Sequence, residues 1–255
     1  MRDRLYRFYG FFQRLLAPGL RNSQFSYKEA LISLCHSGIT WLDLGCGHQL
    51  LPDWMPSSRE EEEALLQKPH LFVGIDADAS SLRKNNVARH LVAGNIEILP
   101  FRDETFDLVT ANMVIEHVRH PADLLWEVRR VLKPGGMFLF HTPNVWGYTT
   151  LTARLLPQSA KVWLVHFLQG RAESDIFSTF YRLNATSNIE ELARAVGLDV
   201  VRLSLAESSA QTIMLGPVVI LELLLIRALR WNALSRFRTN LIVVLQRPQS
   251  LPGTP

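Results

Sequence analysis

The sequence is poor in cysteine and in net charge, and each shortage excludes a class of protein. Two cysteines, Cys35 and Cys46, among 255 residues cannot build a disulfide framework or a zinc cluster. A formal net charge of +3 is too small to indicate nucleic-acid binding by itself. Hydrophobic residues make up 47% and charged residues 20%, which is the composition of an ordered globular protein.

Apolar stretches in the sequence are interrupted by charge, which disfavours both a membrane span and a signal peptide. The most apolar stretch carries Glu222 and Arg227 inside it, and charged side chains are costly within a bilayer. Near the N-terminus, Arg4, Arg7 and Arg14 break the apolar core that a signal peptide requires. We therefore expect a cytoplasmic protein without a nucleic-acid partner, and peripheral membrane association is left open.

Strand-like and helix-like segments alternate along the chain, which is typical of βαβ units with a parallel sheet. Short apolar runs predict strands over residues 39–44, 71–75, 90–93, 106–111, 137–141, 198–205 and 241–246. Periodic segments predict helices over residues 79–89, 121–132 and 186–196, the last with Ser187 as its N-cap and Gly197 after its end. The pattern predicts a doubly wound α/β fold.

The most informative segment is the glycine-rich turn after the first predicted strand, residues 41–47 (WLDLGCG). Gly45 and Gly47 allow a sharp turn and a close approach of the backbone to a ligand. In a dinucleotide fold this turn faces a pyrophosphate, which the carboxylate of Asp43 would repel. Leu50 replaces the third glycine of the dinucleotide fingerprint, so an NAD-dependent enzyme is disfavoured. An acid suits the ammonium and sulfonium groups of S-adenosylmethionine (SAM).

A second acid ends the second predicted strand. Asp76 closes the run FVGID (72–76), where a carboxylate can accept hydrogen bonds from both hydroxyls of a ribose. The alternative is that Asp76 only caps a helix. The distance from Gly47 exceeds the usual ~20 residues, and we attribute the excess to a loop around residues 56–63. The acidic run 60–63 within it is expected to be a solvated loop or the start of a helix.

Further segments follow in an order that resembles a known family. The chain resembles the class I SAM-dependent methyltransferases, and within them the methyltransferase type 11 domain, in WLDLGCG (41–47), VGID (73–76), GNIEILPF (94–101), ETFDLV (104–109), NMVIEHV (112–118) and LKPGG (132–136). The resemblance covers roughly residues 39–145. It implies a Rossmann-like, mostly parallel seven-stranded sheet with helical insertions, in which the last strand runs antiparallel, and SAM as the cofactor.

The resemblance also implies a cofactor site, made of Asp43, Gly45, Cys46, Gly47, Asp76, Ala77, Asn95, Ile96 and Asn112. In the family, the residues matching Asp43 and the two glycines line the methionine part of SAM. The residue matching Asp76 holds the ribose, and those matching Asn95 and Ile96 meet the adenine. Gln49 stands where many members have a third glycine. Asn95 stands where an aspartate often accepts from the adenine amino group, which an amide oxygen can also do.

Candidates for contact with the acceptor follow the fifth predicted strand. His141 ends that strand, and Tyr181 and Arg182 lie in the long segment 143–185, which is expected to form a lid over the cleft. A structural histidine and simple lid packing are the alternatives, and His117 is expected to orient a loop. No catalytic residue is assigned, because methyl transfer needs a base only for a poor nucleophile. No metal site is expected.

Two segments outside the alternation are apolar and flanked by arginine. Near the N-terminus, apolar side chains recur at helical spacing with arginines between them (Leu5, Phe8, Phe12, Leu15 and Leu16). Residues 213–229 are strongly apolar and are followed by Arg230, Arg236 and Arg238. Core packing onto the sheet is one interpretation. A membrane surface, with anionic headgroups near the arginines, or a dimer contact is the other.

These observations predict one methyltransferase domain over residues 1–255. Its expected parts are an N-terminal helical segment (1–38), a SAM-binding core (39–142), a lid insertion (143–185) and a closing helix and strands (186–255) with an apolar helical insertion (207–239). We expect methyl transfer from SAM to a small-molecule or lipid-like acceptor. A SAM-binding protein that does not catalyse methylation is the alternative. The oligomeric state and the methylated atom are left open.

Replacing Asp76 is expected to weaken SAM binding. Asp76→Ala removes charged hydrogen bonds to the ribose, so the affinity should fall by about 1–3 kcal/mol. Isothermal titration calorimetry measures the change directly. A folded wild-type protein that does not bind SAM would contradict the cofactor assignment as a whole.

Overall fold

The computed structural model describes residues 2–155 and 178–249. Its helices are α1 (Arg2–Leu16), α2 (Ser23–Leu34), α3 (Ser58–Leu66), α4 (Ala79–Leu82), α5 (Pro121–Val131), α6 (Tyr148–Leu155), α7 (Thr186–Val196) and α8 (Val218–Ala228). Its strands are β1 (Thr40–Leu44), β2 (Leu71–Asp76), β3 (His90–Ala93), β4 (Phe106–Asn112), β5 (Leu132–Pro143), β6 (Asp199–Ala206) and β7 (Asn240–Gln246). Short 3-10 turns cover Ile115–His117, Ile213–Leu215 and Asn232–Phe237.

The strands form one seven-stranded sheet in the order β3-β2-β1-β4-β5-β7-β6, which confirms the predicted fold class. The pairs β1–β2, β1–β4, β2–β3 and β4–β5 are parallel. Gly135 N donates to Arg247 O at 2.9 Å, whereas Asn144 N donates to Thr239 O at 2.8 Å. Residue numbers therefore rise along β5 as they fall along β7, so the last strand is antiparallel to β5, as predicted.

The sheet register brings four carboxyl-terminal strand ends to one edge. Leu44 of β1 pairs with Ile75 of β2 and with Ala111 of β4, and Asn112 of β4 pairs with His141 of β5. At the opposite edge, Asp107 ties the amino ends together. Its Oδ2 accepts from the backbone N of Thr40 at 2.8 Å and from Lys133 Nζ at 2.7 Å. Ligands in open parallel sheets bind at the carboxyl edge.

Three predicted boundaries were wrong for local reasons. The predicted helix 79–89 ends at Leu82, because Asn85 Oδ1 accepts from the backbone N of Val87 and Ala88 in place of helical bonds. Ser187 lies inside α7, and the N-cap is Ala185, which makes no side-chain cap bond. The helix predicted to reach Leu132 ends at Val131, since β5 begins there and continues through the Lys-Pro-Gly-Gly segment.

The acidic run 60–63 lies at the start of a helix, which is one of the two predicted alternatives. Residues 58–66 form α3, and Glu62 in it is only 4% exposed. Its carboxylate accepts from the backbone N of Leu50 at 3.1 Å and from that of Leu51 at 3.4 Å. Glu62 therefore fixes the loop that follows the glycine turn.

The described chain divides into two compact units. The sheet unit consists of residues 27–142, 180–204 and 242–249. The helical unit consists of residues 2–26, 143–155, 178–179 and 205–241. Residues 156–177 of the predicted lid lie outside the described residues.

The helical unit has a small core of its own, to which both α1 and α8 contribute buried side chains. Its buried members are Tyr9, Ala17, Leu20, Ala210, Val219, Leu223 and Ile226. Glu222 of α8 is also buried, and its carboxylate accepts from Tyr148 Oη and from the backbone N of Gln211 and Thr212. Across the described segments, no helix is both long enough and apolar enough to cross a bilayer.

Candidate active site

The glycine turn connects the end of β1 to the end of β2. Gly45 and Gly47 have positive φ angles of 64° and 50°, a conformation that costs L side chains free energy. The backbone N groups of Gly45 and Cys46 donate to Ile75 O at 2.7 and 3.2 Å. A Cβ on Gly45 would collide with the side chain of Val114, whereas one on Gly47 would meet no atom within 4 Å. The turn is therefore tightly packed at Gly45 and open beside Gly47.

Cys46 points away from the open side of this turn. Its side chain is buried, and a Cβ on Gly74 of β2 would lie 2.6 Å from its Sγ. Burial, together with the charges of Asp43 and Asp76, raises the pKa of this thiol well above its ordinary value. Cys46 can therefore reach a ligand only through its backbone.

Asp76 supports the glycine turn directly. Its Oδ2 accepts from the backbone N of Gly47 at 2.8 Å, and its Oδ1 accepts from that of Asp78 at 2.8 Å. Each carboxylate oxygen has a further lone pair for another donor. The backbone O of Asp76 accepts from Gly94 N at 3.0 Å, which places the predicted adenine loop next to this acid. Replacing Asp76 therefore disturbs the turn as well as any ribose contact.

Asp43 is buried at the end of β1 and is only 4% exposed. Trp41 Nε1 donates to Thr110 Oγ1 at 2.7 Å, and the Thr110 hydroxyl donates to Asp43 Oδ1. Burial raises the pKa of Asp43 to about 7, which the Thr110 hydrogen bond opposes and the charges of Glu62 and Asp76 reinforce. Asp43 therefore changes charge near neutral pH.

Three carboxylates surround the glycine turn without a basic partner. In the described part of the chain, Asp43, Glu62 and Asp76 form no ion pair with a lysine or an arginine. Burial raises the pKa of Glu62 as well. Uncompensated carboxylates favour a cationic ligand and repel a phosphate.

The predicted adenine contacts lie in the loop after β3. Asn95 is exposed, and its Oδ1 accepts from Glu97 N at 2.9 Å. Glu97 Oε1 in turn accepts from the backbone N of Arg119 and His120. Ile96 is half-buried and Ala77 is exposed. The Asn95 amide N makes none of these hydrogen bonds. The contact of this loop with residues 119 and 120 is made by the Glu97 carboxylate.

His141 lies inside the sheet unit rather than on its surface. It is 1% exposed, its ring stacks on Tyr27 with centroids 5.7 Å apart, and its Nδ1 lies 2.9 Å from Asn112 Oδ1. Burial lowers the pKa of His141 to about 3, so the ring is neutral at physiological pH. This geometry favours a role in positioning Asn112 over a direct contact with the acceptor.

The segment that contains Tyr181 and Arg182 is held against the end of β5. Asn184 Nδ2 donates to Thr142 Oγ1 at 2.6 Å, and Thr142 Oγ1 donates to Glu116 Oε2 at 3.1 Å. Tyr181 has a positive φ of 52°. The exposed Arg182 donates to the backbone O of Arg119 at 2.8 Å. His117 lies beside Glu116, with Nε2 and Oε1 3.9 Å apart.

Sequence reasoning missed Thr110, Glu62, Glu116 and Thr142. Their contacts pair residues that are 11 to 69 positions apart, so no local pattern reveals them. Glu62 and Glu116 had a visible signal, because the first belongs to the acidic run and the second to the NMVIEHV motif, but the burial of both follows only from the fold.

A cavity of about 670 Å³ lies at the other edge of the sheet. Its lining includes Leu71 and Phe72 at the start of β2 and His90 at the start of β3. It is therefore at the amino ends of these strands, away from the glycine turn. Within the described segments, no group of three His, Cys, Asp or Glu side chains is placed to hold a metal ion.

Comparison with known families gives the same assignment as the motifs. Residues 42–140 match the family model described as "Methyltransferase domain". These residues form a methyltransferase domain of that family. The match contains the glycine turn, Asp76 and the loop after β3, and the family implies SAM as the cofactor of this methyltransferase domain.

Curated relatives match the methyltransferase domain at modest identity. A demethylmenaquinone methyltransferase of Lactiplantibacillus plantarum is 38% identical over 103 residues, which are 37% of this chain and 40% of the relative. A malonyl-[acyl-carrier protein] O-methyltransferase of Enterobacter lignolyticus is 31% identical over 122 residues, which are 48% of this chain and 43% of the relative. The chain thus spans less than half the length of these relatives.

Solved structures share the fold over most of the chain. One titled as an S-adenosylmethionine dependent methyltransferase from Listeria monocytogenes has a TM-score of 0.58 at 12% identity, and the match covers 88% of this chain and 98% of that chain. One titled as a [4+2]-cyclase has a TM-score of 0.55 at 13% identity, and the match covers 89% and 82%. At these identities the likeness shows the fold alone.

The residues present fit SAM on chemical grounds. The glycine turn is open beside Gly47, and the acids around it lack a cation. A ligand with an ammonium and a sulfonium group would supply that cation, and Asp76 retains lone pairs for ribose hydroxyls.

The burial of Asp43 has a consequence for stability that can be measured. Its ordinary pKa is 3.8 and its folded pKa is about 7. Protonated Asp43 therefore contributes to the free energy of unfolding in full below pH ~4, and this contribution is lost as the pH rises through ~7. Asp43→Asn keeps the shape and removes the charge. In urea unfolding, the free energy of unfolding of the variant should exceed that of the wild type by up to about 4 kcal/mol near pH 8, and by less near pH 5.

Asp107→Asn is the matched control, because folding lowers the pKa of Asp107 whereas it raises the pKa of Asp43. Burial alone would raise the pKa of Asp107, but hydrogen bonds from Lys133 and Thr40 outweigh it and hold the pKa below its usual range. This variant should lose about 1 kcal/mol near pH 8. An Asp43→Asn protein less stable than the wild type at both pH values would contradict the analysis.

Proposed function

We propose that this protein transfers a methyl group from SAM to a small-molecule or lipid-like acceptor. One observation supports it above the others. The glycine turn of a methyltransferase domain lies between Asp43 and Asp76, with uncompensated negative charge and an open side at Gly47. This arrangement suits a cation that also carries a nucleoside.

Each part of the proposed site has a distinct task. When bound, SAM would supply a methyl group that its sulfonium activates towards the acceptor's lone pair, and the electron pair of the broken carbon–sulfur bond would stay on sulfur. Asp43 and the turn residues Gly45, Cys46 and Gly47 would hold the methionine part. Asp76 and Ala77 would hold the ribose, and Asn95 and Ile96 the adenine. Asn112, positioned by His141 at 2.9 Å, would face the reacting end.

The protein's contribution to the rate is alignment and exclusion of water, since the methyl is already activated. His141 does not act as the base, because its pKa of about 3 leaves it a poor proton acceptor at neutral pH and the ring is enclosed. Acceptors whose nucleophile needs no base at this site, such as a stabilised carbanion or an ionised oxygen, fit it best.

The segment 180–184 is proposed to contact the acceptor through Tyr181 and Arg182. Arg182 is exposed, and its guanidinium lies 5.9 Å from the centre of the Phe180 ring. Phe180 N and Tyr181 N both donate to Glu116 O, which fixes this segment next to the turn that follows β4. A fixed arginine beside the carboxyl edge suits an acceptor with a negative group.

The relatives support a small acceptor without selecting one. Their names give demethylmenaquinone and a malonyl group on acyl-carrier protein as acceptors. These molecules share an activated carbon or oxygen nucleophile and little else. We therefore propose the class of acceptor, and the acceptor itself is an experimental question.

A SAM-binding protein without methyl transfer is the second candidate. The fold occurs in a structure titled as a [4+2]-cyclase, and the enclosed His141 leaves no assigned base. The two candidates agree on SAM binding and differ only in turnover.

The pH dependence of SAM affinity tests the binding half of the proposal. Thr110→Val removes the hydrogen bond that lowers the pKa of Asp43, so this pKa should rise by about one unit. The variant should bind SAM about five- to tenfold more weakly near pH 6–7 and like the wild type near pH 9. Calorimetry on both proteins at each pH cancels the titration of SAM itself.

Thr110→Ser is the control, because it keeps the hydroxyl and should follow the wild type. A merely structural effect of valine would weaken binding equally at every pH, and that result would contradict the assigned role of Asp43.

Turnover separates methyltransferase from SAM-binding protein. Purified protein with SAM labelled in the methyl group should transfer label into quinone, fatty-acyl or metabolite fractions of a cell extract. With SAM at a limiting concentration, Asp76→Ala should lower this transfer by about five- to 150-fold, as a 1–3 kcal/mol loss of affinity implies, because it removes a cofactor contact and a support of the turn. A wild type that binds SAM but labels no fraction would favour the second candidate.

A further inference from the structure

The outward face of α1 combines arginine with apolar side chains. Arg4, Arg7, Phe11, Arg14 and Leu15 follow one another at spacings that place them on one side of a helix. All five are exposed, Phe11 at 58% and Leu15 at 61%. The opposite side of α1 carries Tyr9 into the core of the helical unit. The exposed apolar groups are therefore not required for that core.

The outward face of α8 is apolar throughout. Val218, Leu221, Leu224 and Leu225 are 46%, 69%, 45% and 41% exposed. The opposite side of α8 is buried through Val219, Leu223 and Ile226. Trp231, 70% exposed, follows α8. Helix α8 is therefore apolar on its exposed side as well as on its buried side, and exposure of such a surface to water is unfavourable.

The helical unit carries a strong positive charge of its own. Its described residues include ten arginines and no lysine, against Asp3, Glu207 and Glu222 as the acids. Glu222 is buried, and Glu207 lies 3.1 Å from Arg230 and 4.0 Å from Arg238. Among the described residues, no ion pair involves the three arginines on the outward face of α1.

These ion pairs bear on the membrane interpretation of the sequence, in which Arg230 and Arg238 lie near anionic headgroups. In the structure both are engaged within the unit by Glu207 and by backbone carbonyls. The basic surface belongs instead to α1, and the apolar surface to α8.

We propose that the outward faces of α1 and α8 dock on a lipid bilayer that contains anionic headgroups. The leucines of α8 would enter the boundary between headgroups and acyl chains, while Arg4, Arg7 and Arg14 would meet the headgroups. The helices would lie in the plane of the surface, because α8 has only 11 residues and a span needs about 20. The proposal is independent of SAM binding, whose residues belong to the sheet unit.

Charge and chemistry favour this occupant over two others. A twofold contact between two copies that used the outward face of α1 would bring Arg4, Arg7 and Arg14 of both copies into one interface, and like charges oppose that contact. A twofold contact through α8 alone would leave these arginines without a partner. A nucleic acid would satisfy the arginines but leave four aliphatic side chains of α8 without a partner, since bases are bound by stacking on aromatic rings.

Vesicle flotation tests the proposal on the full chain without cofactor. The wild type should float with vesicles of phosphatidylcholine and about 30% phosphatidylglycerol, and remain at the bottom with phosphatidylcholine alone. Salt at about 1 M should release most of it, because the Debye length falls to about 3 Å.

Two sets of substitutions separate the charged and apolar contributions. Arg4→Gln with Arg7→Gln and Arg14→Gln should lower partitioning on the order of 100-fold at low salt, from about fivefold per arginine. Leu221→Ser with Leu225→Ser should lower it at least about tenfold. The matched control is Val201→Ser with Arg202→Gln, an exposed apolar and basic pair in β6 of the sheet unit, which should float like the wild type.

Thermal unfolding within a few degrees of the wild type shows that each variant is folded. Equal flotation of the wild type on neutral and anionic vesicles would overturn the proposal. So would a protein that stays at the bottom in every case, whether it elutes as a dimer in light scattering or binds a labelled oligonucleotide instead.

Discussion

The Asp43 carboxylate, buried at the end of β1 and hydrogen-bonded to Thr110, is the constraint on which the candidate site depends. A carboxyl group this enclosed is costly to ionise, and its pKa of about 7 expresses that cost. The Thr110 hydroxyl opposes the cost, and Trp41 Nε1 fixes that hydroxyl by donating to it at 2.7 Å. The strand register places the two residues side by side, because Asp43 of β1 pairs with Thr110 of β4. The sheet therefore holds a charge that it does not itself neutralise.

Asp76 has a structural task beside Asp43. It stabilises the glycine turn, whereas Asp43 supplies negative charge that attracts a cation to it. The two carboxylate oxygens of Asp76 accept from backbone groups on either side, at Gly47 and Asp78. Gly74 contributes from within β2, because any Cβ there would collide with Cys46 Sγ. The turn can lie against β2 only when that position is glycine. The cofactor site is thus a property of two strands and one loop, and no single residue defines it.

Sequence reasoning reached the parts of this arrangement that are local in the chain. The glycine turn and both acids follow from short motifs, and the seven-stranded sheet and the direction of β7 follow from the family that these motifs resemble. The hydrogen bond of Thr110 to Asp43 joins residues 67 positions apart, and His141 of β5 stacks on Tyr27, which lies in α2, more than a hundred positions earlier in the chain. Helix α4 ended early because the side chain of Asn85 competes with the helical backbone. Such contacts are decided by tertiary pairing, which periodicity does not report.

The two units of the chain carry opposite net charge: the helical unit is basic, and the sheet unit, which contains the candidate site, is acidic. The described residues of the helical unit hold ten arginines and three acids, whereas those of the sheet unit hold 15 basic and 19 acidic residues. A protein that concentrated both signs in one place would neutralise them locally in ion pairs. Keeping acids near the glycine turn preserves the uncompensated negative charge that a cationic ligand requires. Keeping unpaired arginines on α1 preserves a positive surface that its own acids do not cancel. The modest net charge of the whole chain, +3, is therefore the sum of two opposed surfaces, each of which selects a partner of the other sign.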